Sequence, residues 1–397
     1  MSLRILHTAD WHLGDRLASQ DRLPDQLARL NEIGAQLDEH AVDVLLVCGD
    51  VLEETRRGRL AEIFDALAQL LAPRIERGLQ CVFLAGNHDS EHTFPLLTSV
   101  QTLLGPKAAA RVRFVAEPSL VALEGADGDR AALVALPFPT SSRYHLDAGS
   151  FASVEDKQAA LGDAVGEAIE RLSAQADAEL AGVPKVLAGH FLVADVAALT
   201  GARELAESED VRLESLLLQR FAYVALGHVH LPTALDERMR YSGALERMDF
   251  GERDQERETL LVTLDGSGVG VTPLPLDATP LRQLEVGSLA DLDEQAELLD
   301  QPQRTIVKLV LRLGPADSPS EWLAAARGRF PRLHDTPQII RLDEPAPSLV
   351  TGGIDRLDVA GTLRGFLEAE LAKDDPDRDD LLALAERLLA EQQEEPA

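Results

Sequence analysis

Short apolar runs alternate with longer amphipathic segments through the first 235 residues of the chain. The runs have the length of buried strands, and the segments between them repeat apolar residues at the three- and four-residue spacing of helices. The predicted strands are 3–7, 42–48, 80–85, 131–137, 184–188 and 221–226. The predicted helices are 22–39, 57–77, 92–104 and 155–180. Strands that alternate with helices in this way predict a layered α/β fold.

The rest of the pattern divides the chain into three predicted regions. Further strands at 239–243, 258–264 and 268–274 are expected to complete a first domain, residues 1–275. After a proline-containing linker, residues 276–345 are predicted to form a small α+β domain. Its predicted elements are a strand from 281, a helix at 290–299, a strand at 305–313, a helix at 320–330 and a strand at 336–342. Residues 346–397 are predicted to hold a linker and two acidic amphipathic helices.

Length and composition suit one large core with one or two smaller units, since 45% of the 397 residues are apolar. The chain has no apolar run of about 18 residues, the length that a transmembrane helix needs, and its N-terminus does not resemble a signal peptide. Its two cysteines, Cys48 and Cys81, lie in or beside apolar runs, as reduced buried thiols do. We therefore predict a cytoplasmic protein without a membrane contact.

The net charge is −30, from 38 basic and 68 acidic residues. It argues against nucleic-acid binding over a broad surface, because phosphate contacts need basic side chains. A nucleic-acid substrate then requires basic residues that are concentrated locally. Arg56, Arg57 and Arg59 form one such cluster, and the alternative is an exposed loop that leads into a helix.

Polar clusters directly follow five of the predicted strands. They are Asp10-Trp11-His12, Gly49-Asp50, Gly86-Asn87-His88-Asp89, Gly189-His190 and Gly227-His228-Val229-His230. In open α/β sheets, ligands bind beyond the carboxyl ends of the strands. We therefore expect these five clusters to converge on one edge of one sheet.

The residue types in these clusters are typical of a metal site. Carboxylate, amide and imidazole ligands without a thiolate suit manganese, iron or zinc better than they suit a structural zinc site. Seven ligands are too many for one tetrahedral ion and match two ions that leave positions for water and substrate, with Asp50 able to bridge them. The predicted ligands are Asp10, His12, Asp50, Asn87, His190, His228 and His230.

Each cluster taken alone has a simpler explanation. A single Asp-x-His or Gly-Asp pair is more often a turn or a cap, and a histidine after a strand is more often a hydrogen-bonded core residue. The Gly-Asn-His-Asp run is more specific, because turn chemistry requires glycine and asparagine but not histidine. Asn87 can bind metal and leave His88 to face the leaving group. Asp89 either orients His88 or its loop, or caps the next helix.

In this order, the motifs resemble those of the calcineurin-like metallophosphoesterases. Three segments are similar to one subfamily, the nuclease subunits of bacterial DNA-repair complexes: HTADWHLG (7–14), LPFP (136–139) with Arg143 soon after, and YSGALERMDFGE (241–252). The resemblance covers residues 1–275 with specific motifs and the remainder only in layout. It implies a β-sandwich flanked by helices, then a DNA-binding capping domain and a C-terminal helical segment.

The resemblance also implies roles for the candidate residues. One metal would be held by Asp10, His12, Asp50 and His230, and the other by Asp50, Asn87, His190 and His228. His88 would stabilise the transition state or protonate the leaving oxygen, with Asp89 behind it. The two ions would be manganese. Two departures from the family pattern, Glu53 and Ala244, replace no ligand.

The substrate and partners implied by the resemblance are DNA, a coiled-coil ATPase and a second copy of the chain. DNA would be degraded from duplex ends and cut in single strands and hairpins. Helices 57–72 and 92–104 would form the homodimer interface, and the alternative is that they are ordinary core helices. The tail from Gly353 has 13 acidic and 5 basic residues, so it suits a partner helix and not DNA. The alternative is that it packs on its own domain.

Residues proposed to contact DNA follow from position alone. They are Arg16, Arg56, Arg57, Arg143 and Arg247. Two other functions stay open: a phosphoesterase for small phosphodiesters or cyclic nucleotides, and a non-catalytic scaffold on the same fold. The complete ligand set argues against the scaffold, and the capping domain and acidic tail argue against a small-molecule enzyme.

Overall fold

The computed structural model describes residues 2–53, 58–103, 105–147, 149, 151–194, 211–314 and 317–342. Arg56, Arg57 and the predicted C-terminal helices lie outside the described residues. Within the described residues, no helix combines the length and the apolar character that crossing a membrane requires.

Helices and strands occupy the predicted segments, with ends shifted by a few residues. The helices are α1 (Leu23–Glu39), α2 (Leu60–Glu76), α3 (Thr93–Leu103), α4 (Pro106–Arg111), α5 (Val154–Glu179), α6 (Leu289–Glu297) and α7 (Pro319–Arg327). The first strands are β1 (Ser2–Thr8), β2 (Arg16–Leu17), β3 (Gln20–Asp21), β4 (Val44–Val47), β5 (Gln80–Leu84), β6 (Val112–Val115), β7 (Ser119–Glu124), β8 (Arg130–Leu136), β9 (Lys185–His190) and β10 (Leu192–Val193). The others are β11 (Arg212–Leu213), β12 (Tyr223–Gly227), β13 (Thr233–Ala234), β14 (Met239–Tyr241), β15 (Arg257–Asp265), β16 (Gly268–Leu276), β17 (Leu281–Val286), β18 (Ile306–Leu313) and β19 (Gln338–Arg341). The short elements α4, β2, β3, β10, β11 and β13 were not predicted, and neither were β6 and β7.

Two six-stranded sheets stack face to face. The first has the order β16-β15-β1-β4-β5-β6, and the second has the order β13-β14-β12-β9-β8-β7. In the first sheet β1, β4, β5 and β6 are parallel, and in the second β8, β9, β12 and β14 are parallel. The predicted layered α/β architecture is confirmed.

The expectation that all five polar clusters lie on one sheet is wrong. Three of them follow β1, β4 and β5 of the first sheet, and two follow β9 and β12 of the second. All five strands are buried on both faces, so their apolar runs look alike in the sequence. Which sheet a strand joins depends on long-range pairing that periodicity does not encode.

Three apolar layers hold the sandwich together. Alternate residues of each strand face opposite layers, so Ile5 packs between the two sheets while Leu6 packs towards the helices. Helices α1 and α2 cover the outer face of the first sheet, and α5 covers that of the second. Truncating a fully buried leucine such as Leu46 to alanine should cost about 2–5 kcal/mol of stability.

A small three-stranded sheet, β17-β18-β19, follows the sandwich. Helices α6 and α7 pack on it through a core that includes Trp322 and Phe330. A separate apolar cluster joins this small unit to the sandwich and consists of Leu17, Phe250, Leu281 and Ile306. An ion pair between Arg332 and Asp25, with nitrogen and oxygen 2.5 Å apart, spans the same junction. The division between domains at residues 275 and 276 stays a prediction.

Candidate metal centre

The structure brings all seven predicted ligands together where the parallel strands of both sheets end. Asp10 and His12 follow β1, Asp50 follows β4 and Asn87 follows β5, while His190 ends β9 and His228 and His230 follow β12. Asp10, His12, Asp50 and His190 form a buried floor, with at most 1% of each residue exposed. Asn87, His228 and His230 form the rim, which is partly or fully exposed.

Four of these residues adopt left-handed backbone conformations. The φ angles are 51° at Asp10, 43° at His12, 51° at Asp50 and 89° at His228. Side chains other than glycine rarely adopt this region, and it costs free energy that the surrounding structure must offset. The candidate ligands themselves, and not only the glycines beside them, therefore carry much of the backbone strain.

The glycines of the motifs serve mainly to let backbone and ligand approach closely. A Cβ atom on Gly49 would lie 2.0 Å from His190 Nδ1, and one on Gly86 would lie 2.0 Å from Asp50 Oδ1. A Cβ atom on Gly227 would lie 1.9 Å from the carbonyl oxygen of Cys48. These contacts cross from one motif to another, so the glycines are needed for the assembled site.

Asp50 lies between two sets of ligands. Its Oδ2 is 3.5 Å from His12 Nε2 on one side and 3.4 Å from His190 Nε2 on the other. Close groupings of potential ligand atoms occur on both sides: Asp10, His12 and His230 form one, and Asp10, Asp50 and His190 form another. A carboxylate in this position would serve both ions of a two-metal site.

The second side of the centre is completed by Asn87. Its Oδ1 lies 2.9 Å from His190 Nε2 and 3.1 Å from His228 Nδ1. The side-chain oxygen and the two ring nitrogens therefore converge on one point. Asp10 lies nearby and accepts hydrogen bonds from the backbone N–H of His228, which ties the loops of the two sheets together.

Oxygen atoms behind the histidines orient their rings. His190 Nδ1 lies 2.7 Å from the carbonyl oxygen of Cys48, and His230 Nδ1 lies 3.3 Å from Glu252 Oε1. Such contacts fix the tautomer and direct the other nitrogen at a metal.

His12 gives a direct test of whether the site fits a cation. Its side chain is buried, and neither ring nitrogen makes a hydrogen bond. Buried imidazole nitrogens are nearly always paired in folded proteins. With Asp50 and Glu53 oxygens each 3.5 Å from this ring, the donor set fits a divalent cation bound through His12.

Charges in the floor of the site are strongly interdependent. Burial alone would lower the pKa of His190, but the neighbouring Asp50 carboxylate raises it to about 9. Burial would likewise raise the pKa of Asp50, whereas the imidazoles of His190 and His12 lower it. The carboxylates thus favour positive charge around them, as a site for divalent cations requires.

Comparison with known proteins assigns the chain to a family. Residues 3–232, more than half of the chain, match the family of calcineurin-like phosphoesterases. The chain belongs to this family. It is therefore a metal-dependent hydrolase of phosphate esters, as the sequence predicted.

One relative of this phosphoesterase shares most of its length. The chain is 31% identical to a component of the SbcCD nuclease of Rhodobacter capsulatus over 342 residues, which are 82% of this chain and 83% of the relative. The resemblance to nuclease components of this kind, first indicated by three motifs, is confirmed.

Two solved phosphatase structures also match part of the chain. A dimetal phosphatase from Danio rerio is 11% identical with a TM-score of 0.35, and the match covers 69% of this chain and 98% of that one. A purple acid phosphatase from yellow lupin (Lupinus luteus) seeds is 14% identical with a TM-score of 0.34, over 66% of this chain and 49% of that one.

His88 stands at the mouth of the phosphoesterase site. The side chain is 44% exposed, and its Nδ1 lies 3.0 Å from Glu53 Oε2. Hydrogen bonding to Glu53 raises the pKa of His88 to about 9. His88 also groups with His12 and Asp50 at distances that a metal ion could join. Its exclusion from the ligand set therefore stays a prediction.

Asp89 holds two loops of this phosphoesterase together. Its carboxylate is buried and accepts hydrogen bonds from the backbone N–H groups of Val51, Leu52 and Gly86. These three bonds hold the Asp50 loop against the Asn87 loop. They support the alternative in which Asp89 orients its loop. None of the three bonds involves the side chain of His88.

Two of the predicted DNA-contacting arginines make several hydrogen bonds to backbone carbonyl oxygens. Arg143 is buried and donates to the carbonyl oxygens of Gly86, Phe138 and Asp89. Arg247 donates to the carbonyl oxygens of Gln255, Ala278 and Thr279. These bonds give both arginines a structural role, so a DNA contact would have to use their remaining donors. Arg16 donates to the carbonyl oxygen of Ser19.

Three supporting residues are not evident, or are undervalued, from the sequence alone. Glu252 contacts His230 and pairs with Arg257. Glu53, which departs from the family pattern, contacts both His12 and His88. Glu252 does lie in the segment YSGALERMDFGE, but nothing in that segment indicates which histidine it meets. That contact depends on how the loop folds back.

Proposed function

We propose that this chain is a manganese-dependent DNA nuclease that acts with an SbcC-type coiled-coil ATPase in the repair of DNA double-strand breaks in the cytoplasm. It would degrade duplex DNA from its ends and cut single strands and hairpins. The observation that carries the phosphodiesterase chemistry is Asp50 Oδ2, 3.5 Å from His12 Nε2 and 3.4 Å from His190 Nε2. The relative from the SbcCD nuclease supports DNA as the substrate.

The seven ligands would divide around Asp50. Asp10, His12, Asp50 and His230 would hold one ion, and Asp50, Asn87, His190 and His228 would hold the other. Two divalent cations in such a site supply Lewis-acid activation of the phosphodiester and of the attacking water. The buried floor keeps the carboxylates in place, while the exposed rim leaves room for a polymeric substrate.

His88 is the residue proposed to act on the leaving group. Its Nδ1 is engaged by Glu53 and nearly half of its side chain is exposed, so Nε2 can meet the sugar oxygen of a bound substrate. Donating a proton there would assist departure of that oxygen. Asp89 would act as a positioning residue through the loops that it joins.

The small unit suits a DNA contact on grounds of charge. Residues 281–342 contain 8 Lys and Arg against 9 Asp and Glu, whereas the whole chain carries a net charge of −30. This part of the chain is therefore close to neutral and repels phosphate groups less than the average composition of the chain would. It supports the proposal that the capping domain contacts DNA.

A substrate comparison tests the proposal. Purified protein with added manganese is incubated with linear duplex DNA and, separately, with bis-p-nitrophenyl phosphate. The nuclease proposal predicts efficient shortening of duplex DNA that Asp50→Asn abolishes. Turnover of the small diester alone would instead favour an enzyme for small phosphodiesters or cyclic nucleotides, and no turnover of either would favour a scaffold. Repeating the assay with magnesium, zinc or iron tests the identity of the metal.

The region proposed to bind the ATPase, residues 346–397, lies outside the described residues. The proposal is supported by its acidic composition and by leucines at helical spacing. Deleting residues 354–397 should abolish co-purification with an SbcC-type ATPase and spare the manganese-dependent nuclease activity. Co-purification by the shortened chain would overturn this assignment.

A further inference from the structure

A short 3₁₀ turn, Phe250–Glu252, lies between His230 and the small three-stranded unit. Its two end residues contact different parts of the molecule. Glu252 contacts the ring of His230, and Phe250 belongs to the apolar cluster that joins the small unit to the sandwich. The turn therefore touches a candidate metal ligand at one end and a domain junction at the other.

On the side of the metal centre, Glu252 and Arg257 both make polar contacts with His230. Glu252 Oε1 lies 3.3 Å from His230 Nδ1, while Oε2 accepts hydrogen bonds from Arg257 and from the backbone N–H of Met248. The buried Arg257 guanidinium in turn donates to the carbonyl oxygen of His230, at 3.0 Å. The side chain of this candidate ligand is thus contacted from the turn, and its main chain is held by Arg257 of β15, which also pairs with Glu252.

On the other side, Phe250 is packed by residues of the small unit. It shares a cluster with Leu281 of β17 and Ile306 of β18. Its ring meets the ring of His334 edge to face, with centroids 5.3 Å apart, and the Nζ of Lys308 lies 5.6 Å from its centroid. Only 7% of Phe250 is exposed.

The turn is short and internally braced, so a shift at one end is transmitted to the other. A single residue separates Phe250 from Glu252. The side chain of Asp249 accepts hydrogen bonds from the backbone N–H groups of Gly251 and Glu252, and these bonds hold the backbone of the Phe250–Glu252 turn in place. Losing the packing around Phe250 would therefore move the Glu252 carboxylate away from His230.

We infer that the Phe250–Glu252 turn couples the small unit to the metal centre. Glu252 is a positioning residue for His230, and Phe250 holds Glu252 in place by packing into the small unit. Among the described contacts of the turn, one is with His230, and none is with Asn87, His190 or His228. The coupling therefore acts on one of the two metal positions. This inference rests on the proposed assignment of His230 as a ligand.

Titration of manganese into chelator-treated full-length protein, followed by calorimetry, tests the coupling. The wild type should bind two ions. Phe250→Ala should weaken one of them roughly tenfold, the scale on which residues behind a ligand affect metal affinity, and leave the other unchanged. Phe250→Leu, which keeps an apolar side chain, should retain most of the affinity. Glu252→Gln should weaken the same ion as Phe250→Ala.

A double-mutant cycle separates coupling from two independent effects. If Phe250 acts through Glu252, adding Phe250→Ala to Glu252→Ala should weaken manganese binding no further. Phe330→Ala is the matched control, because Phe330 lies in the core of the small unit and outside the junction cluster. It should leave both affinities unchanged.

Several results would overturn the inference. Equal weakening by Phe330→Ala would mean that general loosening of the small unit is responsible. Unchanged binding in Phe250→Ala, or weakening of both ions, would remove the selective coupling while the two-metal site stands. A wild type that binds fewer than two ions would instead overturn the proposed site, and this inference with it.

Discussion

At the scale of the residue, the metal chemistry and the backbone strain of this protein fall on the same positions. Asp10, His12, Asp50 and His228 all have positive φ angles, and all point polar atoms into one centre. Strain of this kind persists only where surrounding contacts over-determine the conformation. Here hydrogen bonds between motifs, such as Asp10 N to Gly49 O and His12 N to Asp50 O, supply that constraint.

Replacement of His88 tests its role as a non-ligand. His88→Ala should leave two manganese ions bound per chain and reduce DNA cleavage by about 10²–10⁴-fold, the usual contribution of a general acid. Metal content by elemental analysis and cleavage rates would be measured together. His92→Ala, at an exposed imidazole on the same loop, should change neither. Loss of metal from the His88 variant would make it a ligand instead.

A buried histidine in the core makes stability depend on pH. His7 of β1 lies 2.9 Å from the hydroxyl of Tyr223 and 3.2 Å from the carbonyl oxygen of Leu226, both on β12 of the other sheet. Burial lowers the pKa of His7 to about 3. Between that value and its ordinary pKa of about 6.5, the unfolded chain binds a proton that the folded chain does not. Stability should therefore fall as the pH falls through this window.

The difference of one bound proton should change the free energy of unfolding by about 1.4 kcal/mol per pH unit. Urea denaturation of chelator-treated protein between pH 4 and pH 6 would measure it (both limits lie inside the window, roughly 3 to 6.5). In His7→Gln the decline should be shallower by that amount. The exposed His145 provides the control, since His145→Gln should leave the slope unchanged. Equal slopes for His7→Gln and wild type would refute the prediction.

At the scale of the element, the site depends on how closely the ends of β4 and β12 approach each other. Gly227 ends β12, and its α-carbon faces the carbonyl oxygen of Cys48 immediately after β4. Each sheet supplies part of the ligand set, so the gap between the sheets determines the spacing of the ligands. A methyl group at Gly227 would have to push the sheets apart.

Gly227→Ala should destabilise the protein by about 1–3 kcal/mol or more, as overpacking of a closed interior does. It should also weaken metal binding, because His228 follows directly. Thermal unfolding and manganese titration would measure the two effects. Gly166→Ala is the matched control: Gly166 lies in α5 with open space at the Cβ position, so alanine should stabilise it by up to about 1 kcal/mol. A Gly227 variant as stable as wild type would contradict the argument.

At the scale of the whole molecule, the exposed face of α3 supports the proposed homodimer. Leu96, Val100 and Leu103 are 62%, 44% and 85% exposed and follow one another at helical spacing. A contiguous apolar stripe on a protein surface is more often an interaction site than a face that stays in contact with water. This helix is one of the two that the family resemblance implies for the interface.

A charge on that stripe tests self-association. Leu103→Glu should convert a dimer into a monomer, since burying a carboxylate in an apolar contact costs more than the contact contributes. Light scattering coupled to size exclusion would report the mass. Leu298→Glu, at a leucine of the small unit that is 68% exposed and lies outside this stripe, should leave the mass unchanged. A Leu103 variant that stays dimeric would place the interface elsewhere.

The sequence by itself determined the strands that carry the site, the main helices and the residue types of the site. Periodicity encodes whether a segment is a strand or a helix, because side-chain burial alternates with a local period. Thus β1, β4, β5, β9 and β12 were identified from their apolar runs, and their polar ends named all seven candidate ligands. Residue type also indicated a site without thiolates, since ligand chemistry is a property of the side chain alone.

Only the tertiary structure decided how these parts meet. It divided the strands between two sheets, because pairing partners are chosen by contacts far apart in sequence. It showed that Gly227 is needed for a close approach to Cys48, and that Glu252 stands behind His230. Neither contact leaves a local pattern, since each joins residues whose separation in the chain says nothing about their distance in space.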